Sequence, residues 1–302
     1  MSQRPIVLFG GTGKVGYELL PILSAFRPVL APPRSDLDLS RLDDVAAYLR
    51  VSRPSLIVNA AAMTDIDGAE DSIIEMQQIN WQLPEFLAGE ALERAIGLVQ
   101  FSTDMVFDGR GRKHPYVEED MPNPLNAFGR AMLRAESAIR SIAPLHMILR
   151  TSGVFSLRRN CFLKKLLKIL EQHSDINVAS DQFVGPTWAR TIAETAGHII
   201  TSGGIIDGAD GARKESGLYH ISSAGEASWY TFSKIVVEVL DNRQSVWPKG
   251  KRPTLRAVDA DMVPTRARRP RYSVLSSEKA KSTFGVSTTH WAEQLKACLA
   301  EL

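Results

Sequence analysis

The apolar run Pro5-Ile-Val-Leu-Phe9 delivers the chain directly into Gly10-Gly11-Thr12-Gly13-Lys14-Val15-Gly16, and a helical pattern follows without a break. A strand, a glycine turn and a helix in immediate succession open a βαβ unit, which commits the chain to a parallel sheet with helices on its faces. The spacing Gly10-x-x-Gly13-x-x-Gly16 allows a tight turn, close approach of a ligand to the backbone, and packing of helix on strand. Free N–H groups and partial positive charge at the helix N-terminus suit a pyrophosphate. Gly10, Thr12, Gly13, Lys14, Val15 and Gly16 are therefore the candidate contacts of a bound dinucleotide.

The first half repeats this alternation. Apolar runs at Ile6 to Phe9, Pro28 to Ala31, Leu56 to Asn59, Gly97 to Phe101 and His146 to Leu149 predict strands. Apolar residues at three-to-four spacing predict helices over Val15 to Phe26, Leu42 to Val51, Ser72 to Ala95 and Ala127 to Ile142. With right-handed crossovers the outcome is an α/β fold, a Rossmann-type doubly wound parallel sheet. After Thr151 the rhythm loosens. Helices are expected at Cys161 to Leu170, Thr187 to Thr201, Trp229 to Leu240 and Thr289 to Leu299, a strand at Leu218 to Ile221, and loops at Gly203-Gly204 and Gly208 to Gly211. Pro248, Pro253, Pro264 and Pro270 punctuate a stretch with little helical character. The expected division is a dinucleotide-binding domain over 1–152 and a smaller C-terminal substrate lobe over 153–302, with about 186–216 returning to the first.

A chain of 302 residues, 44% hydrophobic and 23% charged, can bury a sizeable core. Its 36 basic and 34 acidic residues leave a net charge of +2, which advertises neither nucleic acid nor membrane as a partner. No apolar leader follows the first methionine and no stretch approaches the roughly 20 apolar residues of a membrane span, so a cytoplasmic protein is expected. Cys161 and Cys298 are too few for a disulfide framework and fit a reducing compartment. No cysteine or histidine grouping has metal-ligand spacing. Basic clusters at Lys249, Lys251 and Arg252 and at Arg266, Arg268, Arg269 and Arg271 could attract a phosphate-bearing small molecule, although the first reads better as a solvated loop.

The second strand should end at the adenosine ribose, where an acid favours a free 2′-hydroxyl and an arginine a 2′-phosphate. Arg34-Ser35-Asp36-Leu37-Asp38 offers both. Arg34 favours NADP(H), the aspartates leave NAD(H) open, and Asp38 with Leu39 is placed to touch the adenine.

Later blocks carry a resemblance. Asn59-Ala-Ala-Ala-Met-Thr64 with Asp67 and Glu70, Phe101-Ser-Thr103-Asp104-Met-Val-Phe-Asp-Gly109, Arg150-Thr-Ser152, Asp181-Gln-Phe-Val-Gly-Pro186-Thr187, Ser228-Trp-Tyr-Thr-Phe232 and Arg269-Pro-Arg-Tyr-Ser-Val-Leu275 run nearly end to end. In order and spacing the chain resembles the extended short-chain dehydrogenase/reductases, and most closely their dTDP-4-dehydrorhamnose reductase group. The resemblance implies a reductase that binds NAD(P)H on the sheet and a nucleotide-linked 4-keto sugar in the cleft, and transfers hydride to the keto carbon. It sets Ala60, Ala61 and Ala62 against the cofactor, and Met63, Asp104, Met105, Val106, Ser152, Gly153 and Phe155 along the substrate pocket.

In that family a Tyr-x-x-x-Lys pair and a nearby Ser or Thr do the polar work. The tyrosine hands a proton to the developing alkoxide, the lysine lowers its pKa and grips the nicotinamide ribose, and the hydroxyl polarises the carbonyl. The matching positions here are Thr103, which keeps the hydroxyl, and Phe128 and Met132, which vacate the tyrosine and lysine positions. Family tyrosines or tryptophan also appear as Met63, Met105, Gly153 and Phe155, so the cleft is more apolar. The expected outcome is ordinary reductase activity that is weak, lost or redirected to a less polar substrate. The alternative is a catalytically inactive dinucleotide-binding subunit with a regulatory or scaffold role. Tyr116 is a candidate substitute acid, and Asp104 and Ser102 flank Thr103. The surfaces around Glu70 and the Arg190 helix admit a homodimer contact.

Overall fold

Both faces of the first strand are apolar. In β1 (Ile6–Phe9) the side chains of Ile6 and Leu8 enter one core and those of Val7 and Phe9 another, and none of the four is exposed. That is the period-two signature of a strand buried between two helical layers. Leu19 and Leu23 of α1 (Lys14–Phe26) join the first core, and Val45 and Leu49 of α2 (Leu42–Ser52) the second. β2 (Val29–Leu30) separates these helices, and β3 (Leu56–Asn59) follows them. The chain then makes α3 (Gly68–Asp71), α4 (Ile73–Gln77), α5 (Leu83–Glu93), β4 (Gly97–Thr103), α6 (Ala127–Ile142) and β5 (His146–Thr151). The computed structural model describes residues 4–206, 215–242, 247 and 252–302.

Beyond β5 lie β6 (Val154–Phe155), α7 (Phe162–Gln172), β7 (Asp175–Ala179), β8 (Phe183–Val184), β9 (Thr187–Trp188) and α8 (Ala189–Ser202). Ile192 and Ile199 of α8 come back to the first core beside α1. β10 (Gly217–His220) completes a six-stranded sheet in the order β2-β1-β3-β4-β5-β10, every neighbouring pair parallel. The order reverses between β1 and β3, and ligands of such sheets sit outside the carboxyl ends of the strands at that reversal. The expected α/β fold, with a Rossmann-type parallel sheet, is the fold observed.

A third core forms between α7, α9 (Trp229–Asn242) and α11 (Trp291–Leu299), from Leu163, Leu166, Phe232, Val236, Trp291 and Leu295. β11 (Ala227–Ser228) pairs antiparallel with β8, β12 (Thr254–Val258) pairs parallel with β7, and α10 (Glu278–Phe284) packs near α8. Among the described residues no helix is long and apolar enough to cross a membrane.

Several local expectations are corrected. The single helix expected over Ser72 to Ala95 is interrupted by a π-helical turn, Gln78–Gln82, between α4 and α5. Pro84 has no N–H to offer the carbonyl four residues earlier, and the ladder widens at that point. The strand expected over Pro28 to Ala31 shrinks to Val29–Leu30 at the sheet edge, where the Pro28 carbonyl accepts from Ile6 N–H. The helix expected from Thr187 begins at Ala189, because Thr187 and Trp188 pair with β6. The β7–β12 ladder was not expected at all. Gly208 to Gly211, Lys249 and Lys251 lie outside the described residues, and Arg252 pairs with Asp241 at 2.6 Å.

Candidate functional site

At the carboxyl end of β1 the turn leaves no room for side chains. Gly10 has φ +79°, and a Cβ there would lie 2.5 Å from both the Ala60 carbonyl carbon and the Ala61 nitrogen. A Cβ at Gly16 would run into the Gly10 carbonyl oxygen, so helix and turn touch backbone to backbone. Gly13 N–H closes the turn onto the Gly10 oxygen at 2.8 Å and Gly13 becomes the N-cap of α1 without any side-chain cap. The first N–H groups of α1 therefore face outward with no intrahelical acceptor, which is the chemistry a pyrophosphate needs.

The loop after β3 forms the opposite wall. Asn59 donates to Gln100 Oε1 at 2.8 Å and accepts Ala61 N–H at 3.1 Å, which fixes the exit from the strand. Asn80, on the π turn, brackets Met63 by accepting its N–H at 2.8 Å and donating to its carbonyl at 2.9 Å. Lys14 Nζ reaches Thr64 Oγ at 3.4 Å and the Asn160 carbonyl at 3.2 Å, and burial holds its pKa below the ordinary lysine value. Arg159 donates to the Thr12 carbonyl at 3.1 Å, and the Arg158 guanidinium lies 3.3 Å from the centre of the Tyr17 ring. The segment after β6 thus arches over the glycine turn and adds cations to it. Arg34 is exposed in the loop after β2. Asp38 takes both the N–H and the hydroxyl of Ser40, at 3.0 and 2.8 Å, which hold its carboxyl below the usual range.

At the end of β4 the geometry is built from hydroxyls. Thr103 caps the 3₁₀ turn Asp104–Val106 by accepting Met105 N–H at 3.2 Å, and donates to Asp104 Oδ1 at 3.1 Å. Asp104 Oδ2 receives Ser152 at 2.8 Å and Ser273 at 2.6 Å. Burial pushes the Asp104 carboxyl up to about 6, against the opposite pull of these hydroxyls.

Helix α6 stands against this turn. Asn126 caps it by accepting Gly129 N–H at 2.8 Å, and Glu70 accepts Ala127 N–H at 2.7 Å. A Cβ at Gly129 would strike the Met105 carbonyl oxygen, so only glycine lets the helix seat there. Phe128 and Met132, one turn apart, are 6% and 3% exposed in a cluster with Met76, Val106 and Phe107, against which Met63, Met105 and Trp81 pack. One turn further, Glu136 receives two hydrogen bonds from Arg150, at 2.9 and 2.6 Å, and one from Ser102 at 2.5 Å. Arg150 also reaches His220 Nε2 at 3.3 Å. Burial and the Arg150 charge push His220 down to about 3, so the neutral ring accepts at Nε2 and donates from Nδ1 to the Tyr116 carbonyl at 3.1 Å.

The sequence candidates separate accordingly. Thr103, Asp104, Met105, Ser152, Phe128 and Met132 come together around the turn after β4. Ser102, next to Thr103 on the strand, points to the other face and is spent on Glu136. Tyr116 accepts Gly109 N–H at 3.0 Å and stacks on Phe107 at 3.9 Å, so it anchors its loop. Val106 is fully buried, and Phe155 is buried and packs edge-on against Phe232 in the third core. Glu70 caps α6, and Arg190 pairs with Glu18 and Glu301 over the Trp188 ring, so both have partners within the chain. Arg266, Arg269 and Arg271 are stapled to Asp71, Asp67 and the trio Asp181, Asp259 and Asp261. Asn80, Glu136, Ser273, Arg158 and Arg159 escaped sequence reasoning. For Glu136 alone a signal existed, since it continues the 128, 132 spacing by one more turn.

A family model described as the RmlD substrate binding domain matches residues 4–302. The dTDP-4-dehydrorhamnose reductase of Burkholderia thailandensis is 34% identical over 298 residues, 98% of each chain. That of Escherichia coli K12 is 35% identical over 301 residues, 98% of this chain and 97% of the relative. Among solved structures, a dTDP-4-dehydrorhamnose reductase of Clostridium acetobutylicum superposes with a TM-score of 0.87 at 28% identity, covering 98% of this chain and 99% of the other. One from Bacillus anthracis in complex with NADP gives 0.87 at 23% identity with full coverage of both, a likeness of fold.

Proposed function

Because the chain belongs to the dTDP-4-dehydrorhamnose reductase family, we propose that it is a nicotinamide-dependent carbonyl reductase with a disarmed proton donor. Its substrate is a nucleotide-linked 4-keto sugar or a less polar relative of one, and its turnover is slow. The observation that carries this reading is the pair Phe128 and Met132, buried among apolar side chains where the family places an acid and its ammonium partner.

The dinucleotide fits the residues present. The turn at Gly10 has space only for backbone, and the uncapped N–H groups of α1 with Lys14 would hold the pyrophosphate. Exposed Arg34 at the ribose end favours NADP(H), and the NADP in the Bacillus anthracis relative agrees with that choice. The reduced nicotinamide supplies hydride when bound. Asn59 and Asn80 fix the backbone from Ala61 to Met63 that would flank it. Thr103 is the hydroxyl that would polarise the carbonyl, its proton turning from Asp104 Oδ1 to the carbonyl oxygen. Phe128 keeps a ring in place and excludes water, and donates nothing. General-acid help contributes about 10²–10⁴-fold, and turnover is lower than in relatives by that order.

The test is NADPH titration by fluorescence, followed by turnover of dTDP-4-keto-6-deoxysugar by the wild type and by Phe128→Tyr with Met132→Lys. Binding with slow turnover, raised by the double substitution, is the expected result. Wild-type turnover at the rate of the Escherichia coli relative would overturn it. Binding without turnover in either protein would leave a regulatory subunit.

A further inference from the structure

A buried carboxyl with no cation bonded to it among the described residues lies one residue from the retained hydroxyl. Asp104 is 2% exposed, and the side chains that bond it are the hydroxyls of Thr103, Ser152 and Ser273. The ionisable groups on the elements packed around it are engaged elsewhere. Arg150 of β5 is held by Glu136 of α6, Arg271 by three aspartates, Tyr272 donates to Glu226, and Asp108 accepts from Asn123. Hydroxyl donors only partly replace the water a carboxylate loses, so a carboxyl placed here holds its proton further toward neutrality than an exposed one.

We propose that Asp104 is the proton reservoir of this site and that the Thr103 hydroxyl is its outlet, standing in for the acid that residue 128 no longer carries. The inference rests on the reductase reading above. Thr103 Oγ has one proton and two lone pairs; one lone pair takes Met105 N–H, and the proton lies on Asp104 Oδ1 along the existing 3.1 Å contact. With Asp104 protonated, that hydrogen bond reverses and the Thr103 proton is free to point into the cleft. As hydride reaches the carbonyl carbon, the carbonyl oxygen takes the Thr103 proton and Thr103 Oγ takes the Asp104 proton. One O–H bond forms on the product and one breaks on Asp104, which is left a carboxylate bound by hydroxyls. One proton taken up from solvent and passed through Thr103 recharges it once the product has left. Asp104, set along the substrate pocket by the resemblance, is 2% exposed and acts through Thr103, as a positioning residue.

Two measurements test this. The first follows the Asp104 carboxyl carbon by NMR in the protein without cofactor, assigned by its disappearance in Asp104→Asn. It should titrate near 6, well above an exposed aspartate. A carboxyl ionised throughout that range overturns the proposal. The second is kcat against pH for the wild type, Asp104→Asn, Thr103→Val and Phe128→Tyr with Met132→Lys, each checked for folding by circular dichroism. A carboxyl with a raised pKa is loaded below its midpoint, so wild-type kcat should be level below about 6 and fall about tenfold per unit above it. Asp104→Asn and Thr103→Val should both lower kcat tenfold or more and abolish that limb. Adding Asp104→Asn to the restored Tyr/Lys protein should cost less than threefold. An equal loss in both backgrounds would make Asp104 a structural tether and overturn the relay, as would a wild type inactive at every pH while the restored protein turns over. If the restored protein is also inactive, the reductase reading fails first and the relay falls with it.

Discussion

Two consecutive turns of one helix face do opposite things. At Phe128 and Met132, α6 presents carbon and sulfur to an apolar cluster; at Glu136, four residues on, it presents a carboxylate to Arg150 and Ser102. All three side chains are buried. In the first turn burial is favourable in itself and tolerates any side chain of similar volume. In the second, each charge is bearable only because its partner is present, so the turn tolerates almost no change. The lesson is that chemistry and architecture occupy neighbouring residues of this helix without depending on each other.

The sharpest way to break that separation is to write the chemistry back. Phe128→Tyr with Met132→Lys should raise turnover about 10²–10⁴-fold while the melting curve stays cooperative. If the protein unfolds instead, the two turns are coupled. The next largest effect is expected at the second turn, where Glu136→Ala leaves Arg150 buried and unmatched. A loss of about 3–5 kcal/mol should appear in urea denaturation, and a loss near zero would mean that the pair contributes nothing to holding the helix. Tyr116→Phe is expected to cost about 1–3 kcal/mol, because buried Gly109 N–H loses its acceptor. Its kcat should be unchanged, and a tenfold fall would return Tyr116 to the list of acids. The smallest effect lies at the edge of the apolar cluster, where Arg269 holds the Asp67 carboxyl down at about 2. A depressed carboxyl stabilises the fold above its unfolded value of 3.8 and loses that contribution as pH falls toward 2. The pair is partly exposed and worth less than about 1 kcal/mol, so Asp67→Asn should flatten acid unfolding only slightly.

What could be read in advance follows the range of the interactions. The glycine turn was legible because its constraint acts between residues 10 and 16 and on one neighbouring strand. The buried strands were legible because continuous apolar runs have few other fates. The π turn was only half legible, since Pro84 removes an N–H locally but the bonds of Asn80 on that turn go to Met63, seventeen positions away. The β7–β12 ladder joins segments 79 positions apart, from Asp175 and Thr254 onward, and β12 is mostly exposed, so neither its composition nor its periodicity marks it. The resemblance singled out Thr103, Phe128 and Met132, but could not say that Asp104 would be enclosed by Ser152 and Ser273. That enclosure depends on the C-terminal segment crossing back over β4 and β5.

Helix α6 is moored twice, by Asn126 and Glu70 at its first turn and by Arg150 at its third. The stretch between the moorings is held by apolar packing and by the seat of Gly129, with no charged partner among the described residues. On the reading proposed above, a phenol and an ammonium can be exchanged there for Phe128 and Met132 while the moorings stay intact, and two codon changes would reverse the exchange.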